Sequence, residues 1–203
     1  MGMYGEGKNW RYLIGFGLVI VLLFAIIFMI VRGGGDNNGK VPETKKTLIS
    51  YASDDNVTIT STLIGPVTAP QNHNEIQIEV TNSQATVNII NGYDGNVVNS
   101  RSYPLTTEAF SEFLSALDKA KFTEGNTDEA LRNDEGYCAT GQRYVFEIRE
   151  GANNIQRFWA TSCRGVKTFK GNSAAVLNLF QNQIPDYDEL TDDVSFGSGG
   201  SLL

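Results

Sequence analysis

The chain has 203 residues, with 23 acidic and 16 basic side chains, one histidine and two cysteines, for a formal net charge of −7. An acidic surface repels phosphate backbones and argues against a nucleic-acid partner. The lone histidine, His73, leaves most zinc sites and most histidine-dependent catalysis short of parts.

The charge is uneven. Residues 1–32 carry Lys8, Arg11 and Arg32 against Glu6, a net +2, so the remainder carries −9. Tyr12 to Val31 reads YLIGFGLVIVLLFAIIFMIV, twenty residues without a charge, an amide side chain or a proline. At about 1.5 Å per residue such a helix is about 30 Å long, the thickness of a bilayer's hydrocarbon core. In lipid only a closed helical ladder satisfies its backbone amides. Residues 12–31 are therefore expected to be a transmembrane signal anchor whose partner is the lipid bilayer, preceded by a cytoplasmic leader over residues 1–11. The apolar run exceeds a signal-peptide core and leaves through Arg32 and three glycines instead of a small-residue cleavage site. A pilin-like spine would continue past Gly33 and carry an acid near its start, and this run does neither.

Basic residues flank the run almost equally, with Lys8 and Arg11 before it and Arg32, Lys40, Lys45 and Lys46 after it. Orientation therefore rests on the short leader and on the cysteine pair, which suits an oxidising compartment. These place the protein in the cell membrane as a single-pass chain, N-terminus cytoplasmic and C-terminal domain outside. Residues 33–46 (GGGDNNGKVPETKK) have the composition of a flexible linker.

From Thr47 the pattern changes to short alternating runs. Val57–Leu63, Ile76–Val80 and Thr86–Ile90 place apolar side chains at every second position, the period of a half-buried strand. Asn91 to Asn96 forms a turn cluster that predicts a hairpin returning through Val97 and Val98. Thr106 or Thr107 is a fitting N-cap for a helix over Thr107–Phe122, with Phe110, Phe113, Leu114 and Leu117 on one stripe. Thr123–Gly136 reads as a long acidic loop. A second hairpin, Tyr144–Ile148 and Ile155–Thr161 about Gly151, precedes a second helix over Ala174–Ile184. Hairpin-then-helix thus occurs twice, without enough side-chain correspondence to establish a duplication. The domain is expected over residues 47–185, and residues 186–203, opening with Asp186, Asp188 and Glu189, as an acidic disordered tail.

Cys138 and Cys163 bracket the second hairpin and are expected to form a disulfide across its base. A redox pair would want the short Cys-x-x-Cys spacing. His73 sits in a Pro- and Asn-rich loop and reads as an exposed polar residue, and no Gly-x-Ser-x-Gly elbow presents a nucleophile to it. Gly165–Ser173 has the ingredients of a phosphate loop in the wrong order, since Lys170 precedes Gly171, and Asn172 and Ser173 are better helix caps. Arg157, Arg164, Lys167 and Lys170 could together make a basic patch for an anionic polymer, a headgroup or a protein partner. Asp186-x-Asp188 lacks the rest of a calcium loop. Glu108 and Glu112 share a helix face without a cleft, and Asn56-Val57-Thr58 matches a glycosylation triplet that matters only in a eukaryotic secretory host.

These observations predict an α+β fold: a single N-terminal transmembrane helix followed by an antiparallel sheet of five or six strands, with two helices packed on one face. No cofactor and no metal ligands are expected. The function expected is that of a membrane-anchored extracytoplasmic module, non-enzymatic, binding an unknown protein or envelope polymer or serving as an accessory subunit. It would use the sheet's open face or the basic patch. The alternative is an envelope hydrolase or transferase with a site assembled from scattered Ser, Asp, Glu and Tyr.

Overall fold

A computed structural model describes residues 47–196. The leader, membrane span and linker expected over residues 1–46 lie outside the described residues. Six strands form one antiparallel sheet: β1 (Val57–Ile64), β2 (Asn74–Val80), β3 (Gln84–Asn91), β4 (Asn96–Pro104), β5 (Arg143–Glu150) and β6 (Asn153–Thr161). Their spatial order is β4-β3-β2-β1-β5-β6. The first strand is therefore central, and β5 joins its free side only after the chain has left β4 and passed through a helix.

Alternation decides which side chains meet. Ile59 pairs with Val80 on one side and Ile148 on the other, and Ile78 pairs with Val87, so one face of the sheet is an apolar carpet. Helices α1 (Thr107–Lys119) and α2 (Ser173–Gln181) cover that face, as the sequence predicts. Both caps are those expected: the Thr106 side chain accepts from the Ala109 amide at 3.2 Å and Asn172 from the Ala175 amide at 3.1 Å. Aromatic rings close the interface, with Phe113 edge-on to Phe180 at 5.1 Å and Phe122 against Phe146 at 6.0 Å. A void of about 10 Å³ between β1, β2 and α2, walled by Ser61, Ile76, Phe180 and Tyr187, has room for one water.

The expectation of a disordered tail from Asp186 is corrected as far as Phe196. A third helix, α3 (Tyr187–Thr191), buries Tyr187 and Leu190, and Val194 and Phe196 pack against the same core. The acids hide a spaced apolar series that anchors the segment. Asp186 accepts hydrogen bonds from Arg101 and from the Tyr103 hydroxyl on β4, and Asn74 donates to the Ser195 carbonyl at 3.0 Å. Residues 186–196 thus form a strap from β4 to the start of β2.

Burial raises the pKa of the Tyr187 hydroxyl, opposed by its hydrogen bond with Gln181 and reinforced by the Asp188 charge. The native state then holds this proton more tightly than the unfolded chain. The resulting stability is complete below the unfolded tyrosine pKa of about 10 and is lost as pH rises through the native value. Tyr144 shifts in the same direction through burial, so Tyr187→Phe should make the alkaline loss of stability shallower without abolishing it. Urea unfolding between about pH 9 and 12 checks this, and identical slopes in the two proteins would refute it.

Candidate functional site

The second face of the sheet is divided. On β5 and β6 the side chains pointing away from the helices are Arg143, Val145, Glu147 and Arg149, with Asn154, Arg157 and Trp159 opposite them. The loop expected at Thr123–Gly136 folds over these residues as a flap reaching Gln142. Trp159 is completely buried beneath it, donating its indole N–H to the Leu131 carbonyl at 2.7 Å and lying 4.8 Å from the Tyr137 ring.

Asp134 is the flap's ionic contact. Its carboxylate, 3 % exposed, receives Arg143 Nη1 at 3.1 Å and Arg157 Nη2 at 2.6 Å, one oxygen for each arginine. Arg157 also donates to the Arg132 carbonyl at 2.7 Å and lies 3.2 Å from Glu147. Both oxygens of Asp134 are thus occupied by arginines.

The expected disulfide joins Cys138 to Cys163 with their Cα atoms 5.6 Å apart. It ties the end of the flap to the segment leaving β6. Gly141 lies in the angle between them, where an added Cβ would come within 2.5 Å of Ser162 Oγ and 2.6 Å of Cys138 Sγ. The local path therefore requires glycine.

The residues of the expected basic patch differ in their surroundings. Arg157 opposes Glu147 on the sheet and is withdrawn into ion pairs under the flap. Arg164, Lys167 and Lys170 are exposed in the segment after β6. That segment does close the sheet's edge, since the Thr168 and Phe169 amides donate to the Trp159 carbonyl at 3.0 and 2.9 Å.

His73 is likewise not the exposed residue expected. It is 1 % exposed, stacked on Tyr93 at 4.1 Å, with Nδ1 3.1 Å from the Pro66 carbonyl and Nε2 3.2 Å from Glu75. The Tyr93 hydroxyl in turn donates to the Thr68 carbonyl and accepts from the Thr68 amide. Two signals were present in the sequence: a carboxylate two residues on, reached because strand alternation puts both on one face, and a tyrosine in the adjacent turn.

Beyond the His73–Tyr93 stack, which packs beside Glu75, the second face over β3 and β4 carries Thr86, Asn88, Ser100 and Ser102, half-buried or exposed among the described residues. Thr86 and Ser102 share a hydrogen bond of 2.8 Å, Ser100 donates to Asn88 at 2.6 Å, and Asn88 donates to Gln77 at 3.5 Å. This surface presents hydroxyl and amide groups that can donate and accept, with Val97 and Val98 exposed at its far end. Arg149 reaches over Thr60 to Glu79 and marks the boundary with the flap half. Among the described residues no group of His, Cys, Asp and Glu is arranged to hold a metal ion, and no helix is long and apolar enough to cross a membrane. No protein-family model matches the chain, and no curated protein matches it.

Removing Asp134 leaves Arg143 without its carboxylate under the flap and Arg157 with Glu147 only, and breaking a buried pair in this way costs about 3–5 kcal/mol. Asp134→Ala should lower stability by that amount in urea unfolding; a loss below about 1 kcal/mol, the scale of an exposed ion pair, would show the cluster to be solvated. Reduction of the disulfide should cost about 3 kcal/mol on the chain-entropy estimate. Its signature is faster amide exchange over residues 126–142 ahead of the rest of the sheet, and uniform acceleration would count against the flap as a separately fastened unit.

Proposed function

We propose that this chain is a single-pass, membrane-anchored extracytoplasmic module that binds a protein or envelope polymer and does no covalent chemistry. The observation that carries the reading is the division of the second face. One half is covered, ion-paired and stapled, while among the described residues the other presents hydroxyl and amide groups on β3 and β4 at the surface. A sheet face with many short donors and acceptors suits recognition of an extended partner more than enclosure of a small substrate.

The anchor is supported by the length and composition of residues 12–31, and the outside location by the disulfide, which persists in oxidising compartments. The ionisable cluster a hydrolase would most naturally use, around Asp134, is saturated by its arginines. That favours the binding reading over the hydrolase or transferase. Proximity labelling from the full chain in intact cells tests both parts. Labelled neighbours should be envelope components, and the protein should stay in the membrane pellet after alkaline washing. Recovery as a freely soluble species with residues 1–31 intact would overturn the anchored reading.

A further inference from the structure

The two edges of the sheet are finished differently. At β6, Thr168 and Phe169 cap the Trp159 carbonyl, and the Trp159 amide donates to the Thr168 hydroxyl at 2.8 Å. At the opposite edge β4 runs nine residues, all exposed except the half-buried Tyr103. Among the described residues nothing comparable covers its outer backbone. Of the devices that usually blunt an edge, β4 has Pro104 at its end, a bulge opposite Ile89 and Ile90, and Arg101. The arginine is already held by Asp186. From Asn99 to Tyr103 nothing interrupts the alternating N–H and C=O groups that a further strand would meet.

Charge selects the occupant. Residues 57–106 contain one basic side chain, Arg101, against Glu75, Asp94 and Glu79, the last paired with Arg149 of β5. The strap that starts on β4 adds Asp186, Asp188, Glu189, Asp192 and Asp193, and no lysine or arginine occurs in residues 171–196. The other nine basic residues of the described domain all fall within residues 119–170. The β4 edge therefore has a single basic side chain, already paired, and meets the acid-rich strap at Asp186.

We propose that the outer edge of β4 is a strand-addition site for an extended, cationic segment of another protein. The partner's backbone would continue the ladder, and its Lys or Arg side chains would face the acid-rich strap. A second copy of this chain is the poorer occupant, because edge-to-edge pairing would bring two such acid-rich straps together. This rests on the binding-module reading and narrows it to one surface and one partner chemistry.

The test is amide exchange of the full chain in detergent micelles with the synthetic peptide Thr-Lys-Thr-Lys-Thr-Lys-Thr as probe. Exchange should slow within residues 96–104, the same peptide with N-methylated amides should give no protection, and a version with Glu for Lys should bind at least about tenfold more weakly at low salt. Protection by the N-methylated peptide, or protection confined to other strands, overturns strand addition. Equal binding of the Glu peptide overturns the charge selection. Protection of residues 96–104 that grows with protein concentration in the absence of peptide overturns the proposal in favour of self-pairing. None of these outcomes bears on membrane topology or labelled neighbours, so the edge can fail while the anchored binding module stands.

Discussion

Burial of Trp159 is the constraint on which the second face depends. Its place in β6 points it away from the helices, opposite Val145. A ring of that size left in water would expose a large apolar area beside charged neighbours, and covering it is favourable by about 25 cal/mol for each Å² of apolar surface removed. The flap supplies that cover. A flap of polar, acidic composition is fastened by polar and covalent links, among them the indole bond to Leu131, the Asp134 ion pairs, the disulfide and the backbone bonds between its start and the segment after β6. The buried carboxylate contributes more to the flap's placement than to net stability. Its desolvation roughly offsets its attraction to the arginines, while its geometry admits only one register of the flap over β5 and β6.

That asymmetry carries through to the edges. The chain segments after β6 and before β5 are both committed to covering the Trp159 side, so the cover falls on one edge of the sheet. The β4 side is held instead by the strap, which reaches it through Asp186 alone and otherwise packs on the helix face. Among the described residues, one edge and one half-face of the sheet are closed by the chain itself, and one of each is not. The functional proposals concern the second pair for that reason.

Much of the architecture was legible because it follows from period. Ile76, Ile78 and Val80 alternate as a strand must, Phe110, Phe113, Leu114 and Leu117 recur as a helix must, and Thr106 caps where its residue type favours capping. The disulfide was legible because two cysteines bracketed one hairpin. What escaped was decided by contacts between segments far apart in the chain. Asp186 looked like part of a solvated acidic run until Arg101 and Tyr103, more than eighty residues earlier, met it. Arg157 read as a surface cation because the opposite strand's Glu147 and the flap's Asp134 have no local signal. His73 illustrates the intermediate case: its carboxylate partner is local, but the Pro66 carbonyl and Tyr93 ring that bury it come from the ends of other elements.

The position of the boundary between closed and open halves follows from β1. Its second face is Thr58, Thr60 and Thr62, three β-branched residues that favour an extended backbone while standing low above the sheet. Because Thr60 is short, Arg149 on β5 can pass above it to Glu79 on β2, two strands away. A larger residue in the middle of β1 would separate that pair and leave two partly buried charges to find other partners. The threonines therefore do more than form a strand: they let an ion pair span the centre of the sheet. Beyond it toward β4 the face carries Gln77, Asn88 and Ser100, side chains of decreasing length joined in turn by hydrogen bonds. An extended partner approaching from β4 would thus meet these polar side chains until it reached the Arg149–Glu79 ridge, and the flap stands beyond that.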